Sequence, residues 1–172
     1  MKVFRCRVCG EAYLGLMKPP NCPYCTSHVR YMVLAADYVE HEPPPLTPQT
    51  KERIAEGLNL EAEQVAFYKA AAGRAQDSKL HAVFRLLARV EAEHVNVLRK
   101  LVGSEVVPSL ESDSEASDAE NIKRAVILEE KAAAFFTAAA AEAFEDRAVE
   151  VFAALGEADG EHLALLRGCH AE

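Results

Sequence analysis

Apolar positions over the last two thirds of the chain recur at the three-and-four spacing of an α-helix, and they do so in four separate segments. Ile54, Leu58, Glu61, Val65, Tyr68 and Ala72 form one stripe, and Ile122, Val126, Glu129, Ala133, Phe136 and Ala140 form another. Each carries a carboxylate in its middle. Phe84, Leu87, Glu91, His94, Leu98 and Leu101 make a third, and Phe152, Leu155, Asp159, His162, Leu166 and Cys169 a fourth. These patterns predict helices over 48–75, 78–102, 118–143 and 146–167. Thr47 before Pro48 reads as an N-cap and first helical residue, Gly103 as a C-terminal stop, and Ser117 with Glu120 as a capping box. Between the second and third helices, residues 104–116 are acidic and Ser-rich. Short connections pair neighbours antiparallel, whereas this long one has to cross the bundle.

The second pair of helices repeats the first at an offset of 68 residues, with about a third of the pairs identical. Ile54 falls on Ile122, Glu61 on Glu129, Phe84 on Phe152, Leu87 on Leu155 and His94 on His162. The expected architecture is therefore a mostly α, four-helix bundle built from two helical hairpins.

The first 38 residues show no such periodicity. They hold Lys2, Arg5, Arg7, Lys18 and Arg30 against Glu11 and Asp37, a charge of +3, so the remainder of a chain of net charge -8 is -11. A basic module beside an acidic one is drawn to it electrostatically. The acidic balance argues against nucleic acid and anionic membranes as partners. Pro43, Pro44, Pro45 and Pro48 mark residues 39–47 as a semi-rigid linker, giving domains at 1–38 and 48–172. With no signal-like leader and no apolar run of bilayer length, a soluble, cytoplasmic protein is expected.

In such a compartment cysteines seldom form disulfides. Cys6-Arg7-Val8-Cys9-Gly10 and Cys22-Pro23-Tyr24-Cys25 are two Cys-x-x-Cys turns, a spacing that presents four thiolates tetrahedrally to zinc or to a single iron.

In the helices, the three-residue step from Glu91 to His94 and from Asp159 to His162 sets carboxylate and imidazole side by side. With Glu61 and Glu129 they converge as four carboxylates and two histidines in an apolar interior, an arrangement too costly to bury unless cations meet the charge. Two divalent ions neutralise four carboxylates, and oxygen and imidazole donors suit iron or manganese, with zinc also admissible. A glutamate from each of two helices and a carboxylate-x-x-His step from each of two others is the donor pattern by which helical bundles hold carboxylate-bridged metal pairs. Asp159 is one methylene shorter than glutamate, which leaves open whether it bridges the ions or binds one off-centre, and Gly160 beside it would permit a local distortion. Tyr68, two turns beyond Glu61, is placed to donate into the opposing ligand set or simply to pack. Glu63, Glu93, Glu130, Glu157 and Glu161 fall off the inner faces and read as solvated.

Phe4, Cys-Gly, Tyr13, Pro20 and Cys-Pro-Tyr-Cys make residues 2–38 resemble rubredoxin, and residues 48–167 resemble the di-iron half of rubrerythrin. The order, with the rubredoxin-like part first, is similar to that of reverse rubrerythrin. The resemblance implies a ferritin-like bundle and a one-iron centre at Cys6, Cys9, Cys22 and Cys25. It implies a di-iron centre at Glu61, Glu91, His94, Glu129, Asp159 and His162, and two-electron reduction of hydrogen peroxide, the choice between peroxide and oxygen as the small-molecule oxidant staying open. An electron-donating reductase and a homodimer, with one chain's knuckle serving the other's bundle, are implied as partners. Family members carry a further glutamate one turn past the third-helix ligand, where this chain has Ala132-Ala133. That departure brings in the alternative of a ferritin-like protein that oxidises or binds ferrous iron, beside a third reading as a non-catalytic zinc-knuckle interaction protein.

Overall fold

The computed structural model describes residues 1–104, 106 and 108–170, leaving out the side chain of His170. Glu105 and Val107 of the expected crossover and Ala171 and Glu172 at the end of the expected bundle domain lie outside the described residues. The helices are α1 (Pro48–Arg74), α2 (Ser78–Val102), α3 (Asp118–Glu142) and α4 (Asp146–His170). Their ends follow the local chemistry. Thr47 caps α1 by accepting from the Thr50 N–H, and Pro48 fills the position that needs no N–H. Asp77 caps α2, which Gly103 ends in the left-handed conformation at φ 68°. Ser117 caps α3 by accepting from the Glu120 N–H at 3.3 Å; of the expected capping box only this half forms, since the Glu120 carboxylate accepts from the Ser117 hydroxyl at 3.0 Å rather than from its backbone N–H. The fourth helix runs three residues past the expected 167, through Gly168, which does not adopt the left-handed conformation of a glycine stop.

The two hairpins, α1 with α2 and α3 with α4, pack face to face through α1 against α3 and α2 against α4. Gly57 sets how closely α1 approaches α3, since a Cβ there would lie 2.9 Å from the Phe136 ring. The connection from α2 to α3 is tied down by Arg124, whose guanidinium donates to the Asp113 carbonyl, the Ser112 hydroxyl and the Glu115 carboxylate.

At the N-terminus, β1 (Lys2–Cys6), β2 (Ala12–Gly15) and β3 (Met32–Leu34) form an antiparallel sheet in the order β2-β1-β3. The sheet is too small to bury a core of its own, and its interior is Phe4, Met32 and Tyr31 with the four cysteines. This module lies along the side of the bundle formed by α2 and α4. Arg7 pairs with Glu150 and Arg30 with Glu157, while Asn21 donates to Glu161 at 2.6 Å. Glu157 and Glu161 are exposed as expected, and each also reaches the basic module, whereas Glu93, expected to be solvated as well, is half-buried. Two cations of the bundle also reach its backbone, Lys100 to the Cys9 carbonyl at 2.8 Å and Arg147 to the Val8 carbonyl at 3.0 Å.

Candidate metal centres

Each Cys-x-x-Cys turn is closed by a backbone hydrogen bond onto its first cysteine, from Gly10 N–H to Cys6 at 2.9 Å and from Thr26 N–H to Cys22 at 3.0 Å. The turns face each other, with Sγ of Cys6 3.8 Å from Cys25 and Sγ of Cys9 3.7 Å from Cys22. A tetrahedron whose metal–sulfur bonds are about 2.3 Å has edges of about 3.75 Å, so these separations match four thiolates around one ion. All four cysteines are free and buried. Ser27 sits beneath them, its Oγ 3.3 Å from both Cys6 and Cys25.

In the bundle, α1 contributes Glu61, α2 contributes Glu91 and His94, α3 contributes Glu129, and α4 contributes Asp159 and His162. Five of the six are fully buried, and His162 is 5 % exposed. Their donor atoms fall into two sets, Glu61, Glu91, His94 and Asp159, and Glu91, Glu129, Asp159 and His162, within each of which all lie inside 4.8 Å of one another. Glu91 and Asp159 belong to both. Glu91 straddles the pair, one carboxylate oxygen 2.8 Å from Nδ1 of His94 and the other 3.0 Å from Nδ1 of His162. Asp159 Oδ1 lies 3.5 Å and 3.9 Å from the same two nitrogens. The shorter side chain therefore reaches a shared position, and it does so from an unbroken α4 with no distortion at Gly160.

The polar atoms here aim at common points between them. Both oxygens of Glu61, Glu91 and Asp159, Glu129 Oε2, and Nδ1 of both histidines make no aligned hydrogen bond although buried. Left so, each would cost about 1–3 kcal/mol or more. The local field asks for positive charge. Burial raises Glu61 to about 8 and pushes Asp159 well above the usual carboxylate range, with the neighbouring carboxylates adding to both effects. Burial would likewise drive the imidazoles neutral, yet Glu91 with Glu61 holds His94 well above its ordinary value, and Glu91 with Glu129 does the same to His162. Four carboxylates and two histidines so placed fit two divalent cations.

Tyr68 donates to Glu129 Oε1 at 2.6 Å, the contact into the opposing ligand set that its spacing allowed. Burial and the Glu129 charge keep its phenol well above the ordinary range, so it stays a donor. Three features had no signal in the periodicity. Gln64, one turn past Glu61, is 1 % exposed with neither end of its amide hydrogen-bonded. His94 Nε2 lies 3.0 Å from the Cys25 carbonyl, and His162 Nε2 lies 2.9 Å from the Thr26 hydroxyl. Because a carbonyl only accepts, Nε2 of His94 carries a proton, which leaves Nδ1 as the nitrogen that would bind a metal in the cluster. Thus the outer nitrogens of both histidines touch the second cysteine turn.

His28, His41 and His81 join neither set. Cys169 packs at the bundle end beside apolar neighbours, as its match to Leu101 implied. No helix among the described residues is long and apolar enough to cross a membrane.

A family model described as Rubrerythrin matches residues 52–170, from the first turns of α1 to the end of α4. No curated protein matches the chain. Among solved structures, a hypothetical protein from Pyrococcus furiosus is similar over 71% of this chain and 88% of its own, with a TM-score of 0.62 and 24% identity, a likeness of fold.

Proposed function

Because the chain belongs to the rubrerythrin family, we propose that it is a non-haem iron oxidoreductase that reduces hydrogen peroxide to water in the bundle, with electrons received through the cysteine knuckle. The observation that carries this reading is the 3.0 Å contact between the Cys25 carbonyl and His94, which joins the two ligand sets by a single hydrogen bond.

Cys6, Cys9, Cys22 and Cys25 would hold one iron; Glu61 and His94 would hold a second and Glu129 and His162 a third, with Glu91 and Asp159 between them. Iron so held supplies one-electron exchange in the knuckle and a Lewis-acidic, two-electron pair in the bundle. The rest is the work of the chain. The apolar residues around the carboxylates exclude bulk water. Tyr68 keeps Glu129 oriented and holds a proton on the α1 side of the set. The Cys25 carbonyl fixes His94 in the tautomer that leaves Nδ1 free. One peroxide takes two electrons and two protons and leaves as two waters. The electrons come from an external reductase. In a homodimer that exchanged knuckles, the same contact would form between chains.

One observation favours a second reading. Ala132 is buried one turn past Glu129, where the family pattern has another carboxylate, so the donor set is the plain six. That set also suits a protein that oxidises ferrous iron.

Metal analysis with a visible spectrum separates these readings. The expected protein is red, bleaches on reduction and regains its colour on adding peroxide while its iron content stays constant. Iron uptake in the bundle beyond two equivalents would favour iron oxidation, and a colourless protein with zinc in the knuckle would contradict electron transfer altogether.

A further inference from the structure

The two cysteine turns differ at one backbone position. Gly10 follows Cys9 at φ 85°, whereas Thr26 follows Cys25 at φ 53° and is the one non-glycine residue with positive φ among the described residues. A Cβ disfavours this left-handed region, and a β-branched side chain is worse placed there than most. Closing the turn does not require it, since Gly10 makes the equivalent bond without a side chain. An outlier of this kind is a reason to ask what the side chain does.

The hydroxyl of Thr26 donates to the Cys25 carbonyl at 2.9 Å and lies 2.9 Å from Nε2 of His162. With its proton committed to that carbonyl, the oxygen has lone pairs left to accept the His162 Nε2–H. The same carbonyl accepts from His94 Nε2 at 3.0 Å, and its two lone pairs accommodate both donors.

We propose that Thr26 is a positioning residue that ties His162 to the Cys25 peptide, so that both histidines of the bundle hang from one carbonyl of the knuckle. His94 is joined to it directly and His162 through one hydroxyl. Both imidazoles are thereby fixed with Nδ1 turned to the carboxylates, and neither half of the bundle set is left without a bonded connection to the cysteines. The bonding is read from the distances alone; its consequence for electron transfer rests on the proposed peroxide reduction.

Thr26→Gly and Thr26→Ser, made in the full-length chain, test this. The glycine variant relieves the backbone and removes the hydroxyl, and the serine variant keeps the hydroxyl. In zinc-loaded protein, NMR is expected to show slowly exchanging Nε2 ring protons on both histidines. In Thr26→Gly the His162 proton should lose its protection while that of His94 keeps it, and Thr26→Ser should restore both. In iron-loaded protein, reoxidation of the knuckle by peroxide should slow on the order of tenfold in Thr26→Gly and recover in Thr26→Ser, with thermal stability of the glycine variant unchanged or raised. An unaltered His162 ring proton in Thr26→Gly, or failure of serine to restore it, would overturn the proposal. Should the protein reduce no peroxide at all, the exchange measurement still decides the positioning role, while the functional reading alone is lost.

Discussion

A carboxylate on a helix is ordinarily a surface residue, and what turned six side chains of this chain into a site was their recurrence. Glu61 with Glu129 and His94 with His162 occupy matched places in two copies of one hairpin, inside stripes that are otherwise apolar. Two independent segments do not bury the same charge by accident, so the buried cluster was legible from the chain alone. Residues that occur once were not. Gln64 matches Ala132 in the repeat and Thr26 stands where the other turn has Gly10, so neither had a second copy to announce it. Nor does any pattern in sequence foretell that the exposed Glu157 and Glu161 reach the knuckle, because that depends on how two modules dock. Whether the shorter Asp159 reaches both donor sets was equally undecided until the side chains were placed. Tyr68 shows where the repeat breaks to a purpose: its partner is Phe136, so a phenyl ring is sterically acceptable, yet only the hydroxyl reaches Glu129. Tyr68→Phe should keep the fold and leave Glu129 Oε1 buried without its donor, at a cost of about 1–3 kcal/mol. Chemical denaturation of the metal-loaded variant checks this, and an unchanged midpoint would show that the hydrogen bond contributes nothing.

Among the elements, helix positions were readable to within a few residues because α1, α2 and α3 each start at a side-chain cap and α2 carries a glycine stop. What the stripes could not supply was the distance between hairpins, which depends on a missing side chain. Gly57 lies where α1 meets α3, and Gly73 lies on the same helix, where an added Cβ would meet nothing within 4 Å. Gly57→Ala would press on the Phe136 ring, and overpacking of this kind costs about 1–3 kcal/mol. Gly73→Ala adds only helix propensity and should be neutral or stabilising by up to about 1 kcal/mol. Thermal melts of the pair are expected to move in opposite directions or to leave Gly73→Ala unshifted; equal losses would mean that the α1–α3 approach is not set at Gly57.

Over the whole molecule, the basic knuckle and acidic bundle meet as their charges suggest, though the ion pairs at the seam are partly exposed and such pairs are worth about 0–1 kcal/mol each. Direction comes instead from donors that seek particular carbonyls: Lys100 on Cys9, Arg147 on Val8 and His94 on Cys25. They bring the second cysteine turn over the histidines, and no separate segment is needed to connect the two centres. The whole account depends on cations between the buried carboxylates. Counting metals per chain in the native protein and in the double variant Glu91→Ala with Asp159→Ala tests it most directly, since those two residues belong to both donor sets. The expected result is two bundle ions plus one knuckle ion in the native protein, and the knuckle ion alone, with its colour intact, in the variant. A native bundle that stays empty when metal is supplied, or a double variant that still holds its pair, would contradict the account.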